Sequence, residues 1–364
     1  MSGDEGEPGA QPNSRLSVWT WRILTGLAVL LFGLTLFNAS WLAPTPRGTL
    51  RLIASRGVSQ LFDHAGVTED SCTATRIEPP VHDRIENTTR SMTDAQRLGA
   101  SMVQVQVVST ADGRLALFHD WNLDCRTNGH GPTRGATLAQ LQGLDPGYGY
   151  TADGKTFPLR GQQGTHIPSL EEGLAALPGT SMLFTLKSHD PAEADRLVMG
   201  LKAAQREVEQ RGDAFTGDPA LLARIHAAFP GAWTYSKQGV KACTVGYLKT
   251  GWFGIVPEAC RNGTLMVPVD RGWAFAGWPN RLLARMAKVG GRVVVVGPQG
   301  SPRLGMGLTL PEQLSQVPAD FKDFVLVDDI WTIGPSLHPD RDFRTQAQID
   351  AANAGLDRRR ARGD

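Results

Sequence analysis

The sequence predicts a single closed α/β barrel carried on an N-terminal membrane-spanning helix, and three observations point there. Short strand-like apolar runs alternate with amphipathic helical patterns from residue 50 onward. These units continue for about 300 residues without a compositional break, as in one closed barrel of strand–helix repeats. Ahead of them, Ile23 to Pro46 contains no charged residue.

Residues 1–18 form a polar, Gly- and Pro-containing leader of the kind that stays disordered. Residues 19–43 are the anchor. Ile23 to Phe37 is almost wholly apolar, and roughly 20 such residues cross ~30 Å of hydrocarbon. Trp19 and Trp21 on one side and Trp41 on the other suit the two interfaces. Arg15 and Arg22 precede the segment and Arg47 and Arg51 follow it, so charge hardly biases its orientation. A cleaved signal peptide is the alternative. The long polar leader and Phe37, the third residue before a cut following Ala39, favour an uncleaved anchor with the barrel on the extracytoplasmic side.

A Pro-rich joint, Ala43 to Pro46, hands over to a barrel spanning 50–339. The strand-like runs are Leu50–Ala54, Met102–Ser109, Arg114–Phe118, Ser181–Leu186, Trp233–Ser236, Leu265–Val269, Arg292–Val296 and Phe324–Val327. Val293 to Val296 is apolar on consecutive residues, as a buried parallel strand is. Between the runs, Ser169 opens one helix, Asp190–Arg211 reads as a long amphipathic helix and Pro279–Val289 as another. A doubly wound open sheet is the competing architecture, but no Gly-x-Gly-x-x-Gly follows a strand to support it. Residues 340–364 read as a charged, disordered tail whose Arg358–Arg362 cluster is solvated, with a membrane-surface role as the alternative.

A formal net charge of +1 excludes a bulk field for nucleic acid, so electrostatic arguments must be local. Cys72, Cys125, Cys243 and Cys260 lack metal-ligand spacing. Four cysteines in an exported domain permit two disulfides in three connectivities, with four buried thiols as the alternative. His64, His82, His130 and His166 lie in loop-like stretches, His189–Asp190 reads as a helix entry, and no Gly-x-Ser-x-Gly occurs. Trp233, Trp252, Trp273 and Trp278 suit either packing or a lipid or glycerol pocket.

Barrel enzymes keep their chemistry at the C-terminal ends of strands. There the chain reads Ser55-Arg56-Gly57, then Glu86-Asn87-Thr88, then Gln104-Val105-Gln106, Thr110-x-Asp112-Gly113 and His119-Asp120, and later Thr185-Leu186-Lys187. In this order the motifs resemble the glycerophosphodiester phosphodiesterase family. Its members show His-Arg-Gly, Glu-Asn-Thr, Glu-x-Asp, Thr-x-Asp-Gly, His-Asp and Glu-x-Lys. Ile167 to Leu170 and Val327 to Asp329 extend the likeness over about Leu50 to Pro339.

The resemblance implies a triosephosphate-isomerase-type (β/α)8 barrel. It also implies metal-assisted hydrolysis of glycerophosphodiesters in lipid metabolism, with two histidines as acid and base and carboxylates holding calcium or magnesium. Laid onto this chain, one histidine falls on Ser55, the carboxylates on Gln104, Gln106 and Thr185, and only His119 survives. A charge pair at ~4 Å is worth about 4 kcal/mol at an effective dielectric of ~20, and a divalent ion roughly doubles that. Three missing carboxylates therefore forfeit over ~10 kcal/mol of gross attraction, against about 8 kcal/mol for micromolar binding.

Two expectations stand side by side: a phosphodiester hydrolase with an unorthodox site, and a pseudoenzyme candidate that binds phosphodiester head groups or assists a partner, in either case with no metal cofactor. Arg56, Lys187 and His119 would form a cationic mouth for a phosphodiester or phosphate-bearing small molecule. Recruitment of Asp63, Asp70 and Glu86 to a cation is one alternative. Pairing of Arg56 and Lys187 with Asp120 or Asp124 is another, and a satisfied core role for His119 a third. In the barrel frame Cys72 and Cys125 both belong to the active-end face, while Cys243 and Cys260 flank one loop and pair with each other.

Overall fold

The computed structural model describes residues 14–68, 71–300 and 306–362. Residues 1–13 of the leader and Asp70 lie outside that range. The first element among the described residues is helix α1 (Ser14–Asn38), and the barrel opens at β1 (Arg51–Ala54). Helix α2 (Thr89–Arg97) precedes β2 (Ala100–Ser109), which folds back into the short β3 (Leu115–Leu117). Helices α3 (Leu138–Gln142) and α4 (Leu170–Ala176) lead to β4 (Ser181–Leu186), and α5 (Pro191–Ala203) and α6 (Val208–Arg211) to β5 (Ala214–Thr216). Then come α7 (Pro219–Ala228), β6 (Trp233–Tyr235), α8 (Lys237–Thr250), β7 (Thr264–Pro268), α9 (Asn280–Lys288) and β8 (Arg292–Val296). Strand β9 (Phe324–Val327), α10 (Ile330–Leu337) and α11 (Gln346–Arg362) complete the chain.

Eight parallel strands run in the order β6-β5-β4-β2-β1-β9-β8-β7, and β3 pairs antiparallel with β2 outside the ring. The sheet curls into a nearly closed barrel of the triosephosphate-isomerase type. Its ends, β6 and β7, share no ladder. They meet instead through the Trp233 indole N–H, which donates to Thr264 Oγ1 at 2.8 Å.

Alternation along each strand sends every second side chain inward. Ile53, Met102, Leu183, Ala214, Met266, Val294 and Phe324 fill the lumen, and Trp233 stacks on Phe324 at 5.0 Å. The opposite set, including Leu52, Val103, Val105, Phe184 and Val295, packs against the helices. The same parity places Ser55, Gln104, Gln106, Thr185 and Lys187 inward, above the apolar floor. Trp278 packs against Phe321 as core, whereas Trp252 and Trp273 are exposed.

Three expectations need correction. Strand β5 carries no run in the sequence reading, because three residues are too few for a periodicity. The helix expected over Asp190–Arg211 is broken: Gln205 adopts φ 53°, so α5 stops and α6 restarts. The tail is not a disordered, solvated one. Helix α11 buries Ala352, Gly355, Leu356 and Arg359. Arg359 Nη2 donates to Asp329 Oδ2 at 2.6 Å, and Asp329 in turn accepts from Thr332 at the start of α10.

Removing one partner of a buried pair leaves a charge without compensation, so Arg359→Ala should cost about 3 kcal/mol in urea unfolding. The exposed neighbour Arg358→Ala should stay within about 0.5 kcal/mol of the parent. Equal losses at both positions would mean that α11 is held by area alone. Helix α1 differs from the rest. Val18–Asn38 is long and apolar enough to cross a membrane, and none of its apolar window is buried in the protein.

Candidate functional site

The top of the lumen is built from strand ends. Strand β1 delivers Ser55, buried, with its backbone N–H on Val327 O at 2.9 Å. The chain then turns sharply, with Arg56 at φ 59° and Gly57 at φ 75°. A Cβ at Gly57 would sit 2.3 Å from Ser91 Oγ, so only glycine fits there. Asn87, also left-handed at φ 58°, closes the turn by donating its backbone N–H to Arg56 O and accepting at Oδ1 from Gln106 N. The Ser-Arg-Gly and Glu-Asn-Thr segments are thus one interlocked unit.

Gln104 Nε2 donates to Thr185 Oγ1 at 2.9 Å, so the two positions where the resemblance puts carboxylates form a neutral pair. Directly above, Lys187 Nζ donates to His119 O at 3.0 Å and lies 5.3 Å from the centre of the Trp121 ring. The structure therefore brings Lys187, His119, Arg56 and the four substituted positions to one end of the barrel.

A charged chain runs along the rim. Arg56 Nη1 lies 3.6 Å from Glu86 Oε1, and that carboxylate is shared with Arg126. Arg126 Nε donates to Asp120 Oδ2 at 2.8 Å, and Asp120 Oδ1 holds His119 Nδ1 at 2.5 Å. Arg126 also donates to Tyr150 Oη and Thr73 Oγ1, and is 2% exposed. The disulfide Cys72–Cys125, with Cα atoms 5.4 Å apart, fixes the residues adjacent to Thr73 and Arg126. Cys243–Cys260 forms the second bridge.

The expected mouth of uncompensated cations needs correction. Arg56, Arg126 and Lys187 face Glu86 and Asp120, leaving one net positive charge. Arg56 pairs with Glu86 and not with Asp120 or Asp124, the latter being engaged by His130.

Titration follows from this packing. Burial pushes the His119 imidazole down to about 4, against the pull of its hydrogen bond to Asp120, and Arg126 lowers it further. Burial pushes Asp120 upward, but Arg126 and His119 outweigh it and hold the carboxyl well below its usual range. Burial likewise raises Glu86, yet Arg126 and then Arg56 prevail and keep it low. An ionised Asp120 only accepts, so the proton of neutral His119 sits on Nδ1 and Nε2 carries a lone pair.

His82, half-buried against Trp331, is also pushed down to about 4, chiefly by desolvation of its ring. Both histidines bind protons more readily unfolded than folded. Stability present above pH ~6.5 should therefore be lost as pH falls toward 4, by about 2 to 3 kcal/mol per group. Urea midpoints at pH 7, 5.5 and 4.5 read this directly. A flat profile for the parent, or an unchanged slope in His82→Gln, would contradict it.

The donor set does not suit a hard divalent cation. Gln104 and Thr185 are spent on each other, Gln106 is neutral, and Glu86 and Asp120 are each neutralised by arginine. Among the described residues no group of three His, Cys, Asp or Glu side chains is placed to hold a metal. Asp63 is exposed and paired with Arg76. Two buried oxygens at the site, Gln106 Oε1 and Glu86 Oε2, lack a hydrogen-bond donor among the described residues. A cavity of about 10 Å³ beside Glu86, His119 and Arg126 has room for one water.

Arg126 and Tyr150 escaped the sequence reading because both lie in loops outside any motif. The only available signal was adjacency: Cys125 precedes Arg126 just as Cys72 precedes Thr73.

Residues 75–227 match the sequence model of the glycerophosphoryl diester phosphodiesterase family. A glycerophosphodiester phosphodiesterase of Bacillus subtilis is 34% identical over 92 residues, 24% of this chain and 30% of that protein. An uncharacterized Mycobacterium tuberculosis protein is 35% identical over 100 residues, 27% of this chain and 33% of that protein. The matched stretch thus spans about a third of the length of these relatives. The solved glycerophosphoryl diester phosphodiesterase domain from M. tuberculosis superposes with a TM-score of 0.55 at 15% identity, covering 80% of this chain and 99% of that one. An Oleispira antarctica phosphodiesterase, solved with the product sn-glycerol-3-phosphate, superposes at 0.51 with 17% identity, covering 82% and 99%. At these identities the likeness concerns the fold.

Proposed function

We propose, from the premise that the chain belongs to the glycerophosphoryl diester phosphodiesterase family, that its strand-end site captures the phosphate of a glycerophosphodiester head group without a divalent cation. The observation that carries this is the neutral Gln104–Thr185 pair lying beneath Lys187 and His119. The metal positions are discharged while the phosphate-facing cations stay in place. Arg56 and Lys187 supply charge-assisted hydrogen bonds to the phosphate oxygens. His119, neutral with a free Nε2, accepts from a glycerol hydroxyl.

Helix α1 holds the barrel at a membrane, on the extracytoplasmic side, where an oxidising compartment sustains both disulfides. Hydrolysis by an unorthodox site is the second reading, favoured by that same Nε2 lone pair, which suits a general base.

Calorimetry on the full chain in detergent separates them. sn-Glycerol 3-phosphate and glycerophosphocholine should bind with an affinity that falls as salt rises and is indifferent to calcium or magnesium. Arg56→Ala and Lys187→Ala should each weaken binding roughly 10- to 100-fold, about 1.5 to 3 kcal/mol. Micromolar metal binding coupled to cleavage of glycerophosphocholine would refute capture and establish the hydrolase.

A further inference from the structure

The end of helix α1 is bolted to the barrel. Asn38 Nδ2 donates to Trp252 O at 2.9 Å, and Arg285 Nη1 donates to Asn38 Oδ1 at 2.9 Å. The same guanidinium donates to Gly251 O at 2.9 Å and lies 5.2 Å from the centre of the Phe37 ring. Asn38 is 7% exposed. The last turn of α1 and the turn after α8 therefore move as one body.

That turn is apolar and bare. Phe253 is 69% exposed, Ile255 58% and Trp252 36%. Val245 and Leu248, exposed on α8, continue the patch at helical spacing. Scattered exposed apolar side chains are ordinary, but a contiguous set of this size marks a contact surface. The Cys243–Cys260 bridge closes the loop that carries all five, so they are held outward. Three and four residues past Asn38, Trp41 and Leu42 are exposed as well.

We propose that the 245–255 loop is a second membrane-contact element, which enters the interfacial layer of the bilayer that α1 crosses. The inference rests on reading α1 as an anchor and adds an orientation to it. The occupant is lipid because the patch is continuous with a helix long and apolar enough to span. A residue bonded to Asn38 shares the depth of the helix's last turn, where Trp and Phe side chains settle at the headgroup boundary. The α8–α9 side of the barrel then lies against the membrane.

All four native cysteines are in disulfides, so one introduced thiol can be labelled without competition. Full-length Phe253→Cys, Ile255→Cys, Val29→Cys and Met199→Cys chains would carry an environment-sensitive fluorophore in phosphatidylcholine–phosphatidylglycerol vesicles. Met199, 61% exposed on α5, is the water-facing reference. Lipids spin-labelled near the headgroup should quench positions 253 and 255 at least about twofold more than position 199. Lipids labelled deep in the chain should quench position 29. Quenching at 29 with 253 and 255 behaving like 199 overturns the second contact and leaves the anchor standing. No lipid quenching at 29 removes the anchor and the contact with it. Protection of 253 from iodide without quenching by lipid would assign the patch to a protein partner and overturn the proposal.

Discussion

Exchanging Arg126 for Met is expected to lower the unfolding free energy by about 3 to 5 kcal/mol, the usual cost of stripping one partner from a buried charge cluster. The guanidinium touches Asp120, Glu86, Tyr150 and Thr73. Without it, Glu86 keeps Arg56 at 3.6 Å and the Tyr150 hydroxyl, and Asp120 keeps a neutral imidazole. Two buried carboxylates then face desolvation nearly alone. Adding Glu86→Gln to Arg126→Met removes one of those charges, so the double variant should recover part of the loss. Urea unfolding under non-reducing conditions, with Cys72–Cys125 intact, measures both. A single-variant loss under ~1 kcal/mol, or a double variant worse than the single, would show that the cluster is not cooperative.

The second large effect is a gain. A variant carrying Ser55→His, Gln104→Glu, Gln106→Asp and Thr185→Glu puts three carboxylates at the top of the lumen. Each is worth about 8 kcal/mol of gross attraction to a divalent ion at ~4 Å and an effective dielectric of ~20. Oxygen ligands of this kind are what calcium and magnesium take. Without metal the variant should be less stable than the parent, because the new anions repel one another and only Arg56 and Lys187 offset them. Millimolar calcium should restore the melting temperature. Glycerophosphocholine cleavage should rise at least about 100-fold over the unmodified chain, the contribution expected of positioned acid–base groups. Ser55→His alone should do neither. A fourfold variant whose melting temperature ignores calcium would show that these positions do not converge on one cation.

The strands were legible in sequence from their apolar runs, and the site positions from motif order. The resemblance to the family puts Gln104, Gln106, Thr185 and Lys187 at strand ends, and the structure brings them to one end of the barrel. What escaped notice depends on contacts between loops. Arg126 carries no motif, and its importance comes from four partners spread from Thr73 to Tyr150. Glu86 was placed at the rim but weighed as a cation ligand, since nothing in the sequence announces an arginine on either side of it. Helix α11 was missed because its buried face is made of Ala352, Gly355, Leu356 and Arg359, a stripe too small and too polar to register as hydrophobic.

The missing ladder between β6 and β7 makes the barrel a split ring. Among the described residues, strand β6 pairs only with β5, and β7 only with β8, so no ladder joins the edges that face the gap. Beside the Trp233–Thr264 hydrogen bond, the split is spanned by a covalent link: Cys243 belongs to the helix after β6, and Cys260 to the turn before β7. The bridge is thus a clasp on the joint that no backbone ladder closes. A hoop fastened this way breathes at its clasp, so amide exchange in β6 and β7 should outpace that in β1 and β2, and thiol reduction should widen the difference. Because the loop inside the clasp is also the one bolted to the end of α1, any pull on that helix is delivered to the split and not to the opposite wall, where Arg56 and Lys187 stand.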